Sequence, residues 1–120
     1  MADRYVTITG FKHYYDLTPF RIGGLIRCSK DMDNPHDGEA IRCSLPHLGT
    51  VGYLANSPST VAGGTYSAGR IYDRVPERFY VRVCFTTFTK VICRLETDIP
   101  LKRLDTELFG QLKNGDDWNC

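Results

Sequence analysis

The sequence predicts an all-β domain with short helices, built as a small six-stranded barrel of the OB-like or SH3-like kind. Three observations carry that prediction. Six short runs alternate apolar and polar residues with a period of two, as strands with one buried face do. Turn residues separate the runs at short, regular intervals. Closure of six such strands removes the exposed edges that an open sheet would present.

The first run, residues 4–11 (RYVTITGF), is rich in β-branched side chains. The second covers 23–29 (GGLIRCS). Runs 40–45 (AIRCSL) and 50–55 (TVGYLA) are joined by PHLG, whose proline and glycine mark a hairpin turn. Runs 78–85 (RFYVRVCF) and 90–96 (KVICRLE) form another hairpin across TTFT. In the first of these, Phe79, Val81, Val83 and Phe85 form an apolar face, with Tyr80, Arg82 and Cys84 on the other. Tyr53 and Phe79 are expected in the core. Between the hairpins, Ser57 followed by Pro58 reads as an N-cap and first helical position. Gly63-Gly64 ends that helix after roughly a turn or two, and a second short helix is expected near residues 67–72.

Residues 1–96 are therefore assigned to the barrel and residues 97–120 to a C-terminal tail of helical character. In the tail, Leu101, Leu104, Leu108 and Leu112 recur at helical spacing. Gly110 weakens that helix and Asn114-Gly115 stops it. The tail is expected to dock on the barrel, to pair with a protein partner, including a second copy of the chain, or to fray. Trp118 is expected to pack nearby.

Composition narrows the function classes. At 42% apolar and 24% charged, the 120 residues suit one soluble domain. No window approaches the roughly 18 apolar residues of a membrane span. The opening Met1-Ala2-Asp3-Arg4 lacks the basic-then-apolar layout of a secretory leader, so a cytoplasmic location and no membrane partner are expected. Fifteen basic against fourteen acidic residues give +1. Residues 1–96 carry 12 basic and 9 acidic side chains, and the tail 3 and 5. That is not the footprint of a protein that coats duplex DNA, so any nucleic-acid contact is small and local. Of five cysteines, Cys28, Cys43, Cys84 and Cys93 lie in β-like runs and read as reduced core thiols, while Cys120 is terminal.

The chemistry concentrates in residues 30–41 (KDMDNPHDGEAI). An EF-hand reading fails: with Gly38 at the glycine position, Pro35 falls on a ligand position and Ser44 where glutamate must stand. Zinc fails too, because His13, His36 and His47 lie in separate segments with no cysteine at ligand spacing. No metal and no cofactor are expected. GTYSAGRI at 64–71 starts as a P-loop does but offers Arg-Ile where Lys-Ser/Thr is required. No catalytic constellation emerges, so the chain reads as a non-enzyme. Asp33-Asn34-Pro35 also suits a plain turn, its side chains bonding nearby amides.

In order, the chain presents GFKHYY, RCSKDMDNPHDGEAIRCSL and GTVGYLANSPSTVAGGTYSAGRIYD. The D-N-P-x-D-x-x-A-I core followed by Gly-Tyr resembles the HIRAN domain family, and small bacterial stand-alone members in particular. The resemblance covers about residues 5–95. It implies a modified OB-like barrel and a non-catalytic module that binds single-stranded DNA at its 3′-hydroxyl end. Carried over, Tyr14 and Tyr15 stack terminal bases, Asn34 and Asp37 line the pocket, and Asp37 accepts from the terminal hydroxyl. His36 stands where the family has a stacking tyrosine, and His13 where a member has an arginine. Lys12, His13, Arg27, Lys30 and Arg42 are candidates to hold backbone phosphates, each according to the face it occupies. LANSPS after Gly52-Tyr53 offers no lysine, which weakens the phosphate grip. The alternative reading is a protein- or peptide-interaction module of the same barrel.

Overall fold

In the computed structural model, which describes residues 3–113, the six alternating runs become six strands. They are β1 Tyr5–Thr9, β2 Leu25–Lys30, β3 Ile41–Leu45, β4 Gly49–Leu54, β5 Arg78–Thr86 and β6 Val91–Leu95. They close into a barrel in the order β1-β4-β3-β2-β5-β6, every neighbouring pair antiparallel. The all-β barrel with short helices is thus the observed fold class.

The alternation fills the interior. Val6 and Ile8 of β1, Ile26 and Cys28 of β2, Ile41 and Cys43 of β3, and Val81 and Val83 of β5 are all buried in one cluster. Phe11 joins it edge-on to Phe20, ring centroids 5.8 Å apart. Cys28, Cys43, Cys84 and Cys93 are free thiols. Cys28 and Cys43 face each other across β2 and β3 with Sγ atoms 4.0 Å apart. Burial pushes the Cys43 and Cys93 thiols well up, so they stay protonated.

Two β-bulges change which side chains face in. Between Val83 and Phe85 the β5–β6 register slips, so Phe85, expected in the core-facing set, turns outward and is exposed. Between Cys43 and Ser44 the β3–β4 register slips at Val51. Val51 and Gly52 are then both buried, and Tyr53, expected in the core, is carried to the outer face, half-buried. Phe79 is in the core as expected.

The segment at Ser57-Pro58 closes one turn, the short end of what was expected, with Thr60 and Val61 N–H both donating to Ser57 O at 3.0 Å. Ser57 Oγ meets the Ser59 and Thr60 hydroxyls rather than a backbone amide. Local hydroxyl bonding competes with the helix, and the glycines follow too soon for another turn. The second short helix does form as α1, Ala68–Ile71, with Ser67 Oγ accepting from Arg70 N–H. The 57–67 segment covers the outer face of β1. There Thr7, fully buried, shares a hydrogen bond with Thr65 (2.8 Å) and accepts from Ala62 N–H (3.1 Å).

The tail forms α2, Leu101–Lys113, which packs across β2 and β5. Leu104 and Leu108 are fully buried against the barrel. Tyr80, on the outer face of β5, is buried beneath α2 and donates its hydroxyl to Asp105. The Gln111 amide brackets Leu25, accepting from its N–H (2.7 Å) and donating to its carbonyl (3.2 Å). Arg82 forks onto Glu107 at 2.6 and 3.1 Å. The stop at Asn114-Gly115, the packing of Trp118 and the state of Cys120 lie outside the described residues.

Candidate nucleic-acid interface

Residues 31–40 join β2 to β3 at one end of the barrel. Asp31 N–H bonds Ala40 O at 2.8 Å and closes the base of the loop. Inside it, Asn34 Oδ1 accepts from the N–H groups of His36 (2.9 Å) and Asp37 (3.0 Å), an Asx turn that the Asn-Pro pair favours. Asp37 Oδ1 accepts from Glu39 N–H at 2.9 Å, and its Oδ2 from Asn56 Nδ2 at 3.0 Å. Asn56 Oδ1 in turn accepts from Gly69 N–H at 2.7 Å. Turn chemistry and side-chain display are therefore one device: the bonds that shape the loop also fix Asp37.

The loop opens on a hollow of about 430 Å³. Asn34, His36 and Asp37 line it from the loop, and Tyr53, Asn56, Ser57 and Thr60 from β4 and the turn that follows. This volume lies in the range of small-ligand pockets. The lining offers a carboxylate, two amides, three hydroxyls and an imidazole, with no lysine or arginine. A carboxylate has about four lone-pair sites. Two of those on Asp37 are filled by Glu39 and Asn56, so the group remains an acceptor held in a fixed orientation.

Beside the hollow, Asp31, Arg42 and Tyr53 form a second cluster. Asp31 Oδ2 accepts from Asn34 Nδ2 (3.3 Å) and the Tyr53 hydroxyl (3.0 Å), and pairs with Arg42 Nη2 (3.2 Å). Burial opposes ionisation of Asp31, but the bonds from Asn34 and Tyr53 and the Arg42 guanidinium outweigh it and hold its carboxyl below the ordinary range. Burial, aided by Asp31, pushes the Tyr53 hydroxyl up, so it stays a neutral donor.

Lys12 and His13 lie in a single 3-10 turn, Phe11–His13, entered through Gly10 at φ 74°. Tyr14 and Tyr15 follow, 45% and 44% exposed, before Asp16 reverses the chain at φ 54°. Both rings thus sit on a turn, and the opposite-faces rule of a strand does not separate them. The Tyr15 hydroxyl donates to Leu48 O at 3.1 Å. Lys12 Nζ lies 3.7 Å from the centre of the exposed Phe88 ring, in the β5–β6 turn. Lys12, His13, Tyr14 and Tyr15 are not among the residues lining the hollow. The structure therefore gathers Asn34, His36 and Asp37 at one place and the Lys12–Tyr15 group at another. Thr9, paired with Tyr53, links them through the barrel wall. Leu48, just before β4, and Tyr53, near its end, are at most about 16 Å apart at roughly 3.3 Å per residue.

Sequence reasoning missed Tyr53, Asn56, Ser57 and Thr60 as lining residues. Tyr53 carried a signal only through the bulge, which no local pattern announces. Among the described residues, no group of three or more His, Cys, Asp or Glu is placed to hold a metal ion. No helix among them is long and apolar enough to cross a membrane.

No protein-family profile matches this chain, and no curated protein matches it. A solved structure of a Lactobacillus plantarum protein, determined by a structural genomics consortium, superposes on it with a TM-score of 0.53 and 21% identity. The match covers 78% of this chain and 93% of that one. A likeness at that identity is one of fold.

Proposed function

We propose that this chain is a non-catalytic nucleic-acid-binding module that receives the 3′-hydroxyl end of single-stranded DNA beside Asp37, as its resemblance to the HIRAN domain family implies. One observation carries the reading: two distant segments, 34–37 and 53–60, converge on a hollow whose single acidic side chain is held in a fixed orientation as an acceptor and whose lining has no lysine or arginine. Such a lining suits a sugar hydroxyl and repels a terminal phosphate. His36 offers a flat ring at the rim, and the exposed Tyr14 and Tyr15 offer further stacking faces about one strand length away. The second reading is a peptide-interaction module of the same barrel, and the exposed Phe85 and Phe109, outside the lining of the hollow, are where it would begin.

Fluorescence anisotropy with matched oligonucleotides ending in a 3′-hydroxyl or a 3′-phosphate tests the proposal. The hydroxyl end should bind more tightly. Asp37→Ala should abolish the difference, and Tyr14→Ala or Tyr15→Ala should weaken both oligonucleotides by about 1–3 kcal/mol per lost stack. Equal affinity of the wild-type protein for both ends would remove end recognition, and failure to bind either would turn attention to peptides.

A further inference from the structure

We infer that Arg42 is the phosphate-contacting residue of this interface, gripping the phosphodiester that joins the last nucleotide to the one before it. The inference rests on the end-binding reading and adds where the strand leaves the hollow. Arg42 of β3 and Tyr53 of β4 are cross-strand partners, so their side chains share the outer face of the barrel. With Asp31 they make a wall. The hollow beside Asp37 lies on the Tyr53 side, and a second hollow of about 410 Å³ lies on the Arg42 side.

The wall holds the guanidinium in place without using it up. Nη2 pairs with Asp31 at 3.2 Å and Nε reaches the Tyr53 hydroxyl at 3.5 Å. A guanidinium carries five N–H donors in a rigid fork. The Arg42 side chain is still 45% exposed, so it can present donors to an incoming phosphate. Asp31 accepts from Asn34, Tyr53 and Arg42 together, which spends its charge inside the wall. Lys30, Asp33 and Glu77 also line the second hollow, with Lys30 Nζ drawn to the Tyr72 ring at 4.6 Å from its centre. Glu77 precedes β5, two strands from Arg42, and its repulsion keeps an anion at the Arg42 side. Neighbouring strands lie about 4.8 Å apart. The two hollows therefore flank one pair of neighbouring strands, and a chain leaving the first meets Arg42 next.

The test is a salt titration of binding for wild type, Arg42→Ala, Arg42→Gln and Arg42→Lys, using the 3′-hydroxyl and 3′-phosphate oligonucleotides, with thermal melts to confirm folding. Arg42→Gln keeps polar contact with Asp31 and serves if the alanine variant does not fold. Losing the charge should weaken both oligonucleotides alike, roughly tenfold. It should also lower the slope of log K against log salt by about 0.7, one single-strand phosphate contact. The preference for a hydroxyl end should survive, and Arg42→Lys should restore the slope. An unchanged slope in folded Arg42→Gln, with the wild-type end preference intact, overturns the role of Arg42 and spares the end-binding reading. Loss of end preference without a change of slope overturns it as well, making Arg42 a mere support for Tyr53. A wild-type protein that shows no end preference overturns the reading on which both stand.

Discussion

Asn56→Asp probes the contact on which the orientation of Asp37 depends. The substitution keeps the oxygen that accepts from Gly69 N–H at 2.7 Å. It replaces the amide donor that meets Asp37 Oδ2 at 3.0 Å with a second carboxylate. Two unit charges relaxed to about 4 Å apart repel by about 1 kcal/mol under full water screening and about 4 kcal/mol at an effective dielectric near 20. The contact is part-buried, so the cost falls between these limits. At 1.36 kcal/mol per pK unit, the folded variant keeps one proton roughly 1 to 3 pH units beyond the ordinary carboxylate range. In the unfolded chain both carboxyls lose their protons near pH 4. Between those limits the folded variant binds more protons than the unfolded one, so its stability falls as pH rises. Urea unfolding of wild type and variant at intervals from pH 4 to pH 8 reads this directly. The gap between them should widen from about pH 4 and level off by about pH 7. The end preference should change over the same window, because losing the shared proton puts a second negative charge beside the ligand and repels a terminal phosphate more strongly. Two stability curves that stay parallel throughout would refute the Asn56–Asp37 contact and the geometry built on it.

Leu108→Ala should destabilise the fold by about 2–5 kcal/mol, since the side chain is fully buried between α2 and the barrel. A urea midpoint unchanged within error would refute the docking of α2. Asp31→Asn should flatten the acid limb of the stability profile. A carboxyl held below its ordinary range contributes stability that is present above about pH 4 and lost as pH falls through its lowered folded value. Stability profiles of wild type and variant that stay parallel from pH 7 down through the acid limb would contradict the three donors assigned to Asp31.

The strands were legible because a half-buried strand is a local pattern, and RYVTIT, AIRCSL and KVICRL show it without help from the rest of the chain. The loop was legible for the same reason: an Asn-Pro pair with carboxylates around it announces turn chemistry, and the Asx turn at Asn34 is that chemistry. The helix at Ser57-Pro58 stopped at one turn because a cap signal says only where a helix could begin. It cannot outweigh competing hydroxyls and two glycines a few residues on. Phe85 and Tyr53 were misplaced for a different reason. Each lies just past a bulge, and one inserted residue flips the parity of all that follows it in the strand.

The sequence by itself determined the number of strands, the two hairpins, the helical tail and the polar loop at residues 31–40, because each depends on neighbours within a few residues. Only the tertiary structure decided that Asn56 holds Asp37 and that Tyr53 and Arg42 form one wall. It also put Gln111 on Leu25 and the Lys12–Tyr15 group outside the hollow. Those pairings join residues whose separation along the chain carries no signal. They follow from strand register and barrel closure, which depend on how the whole apolar set packs at once.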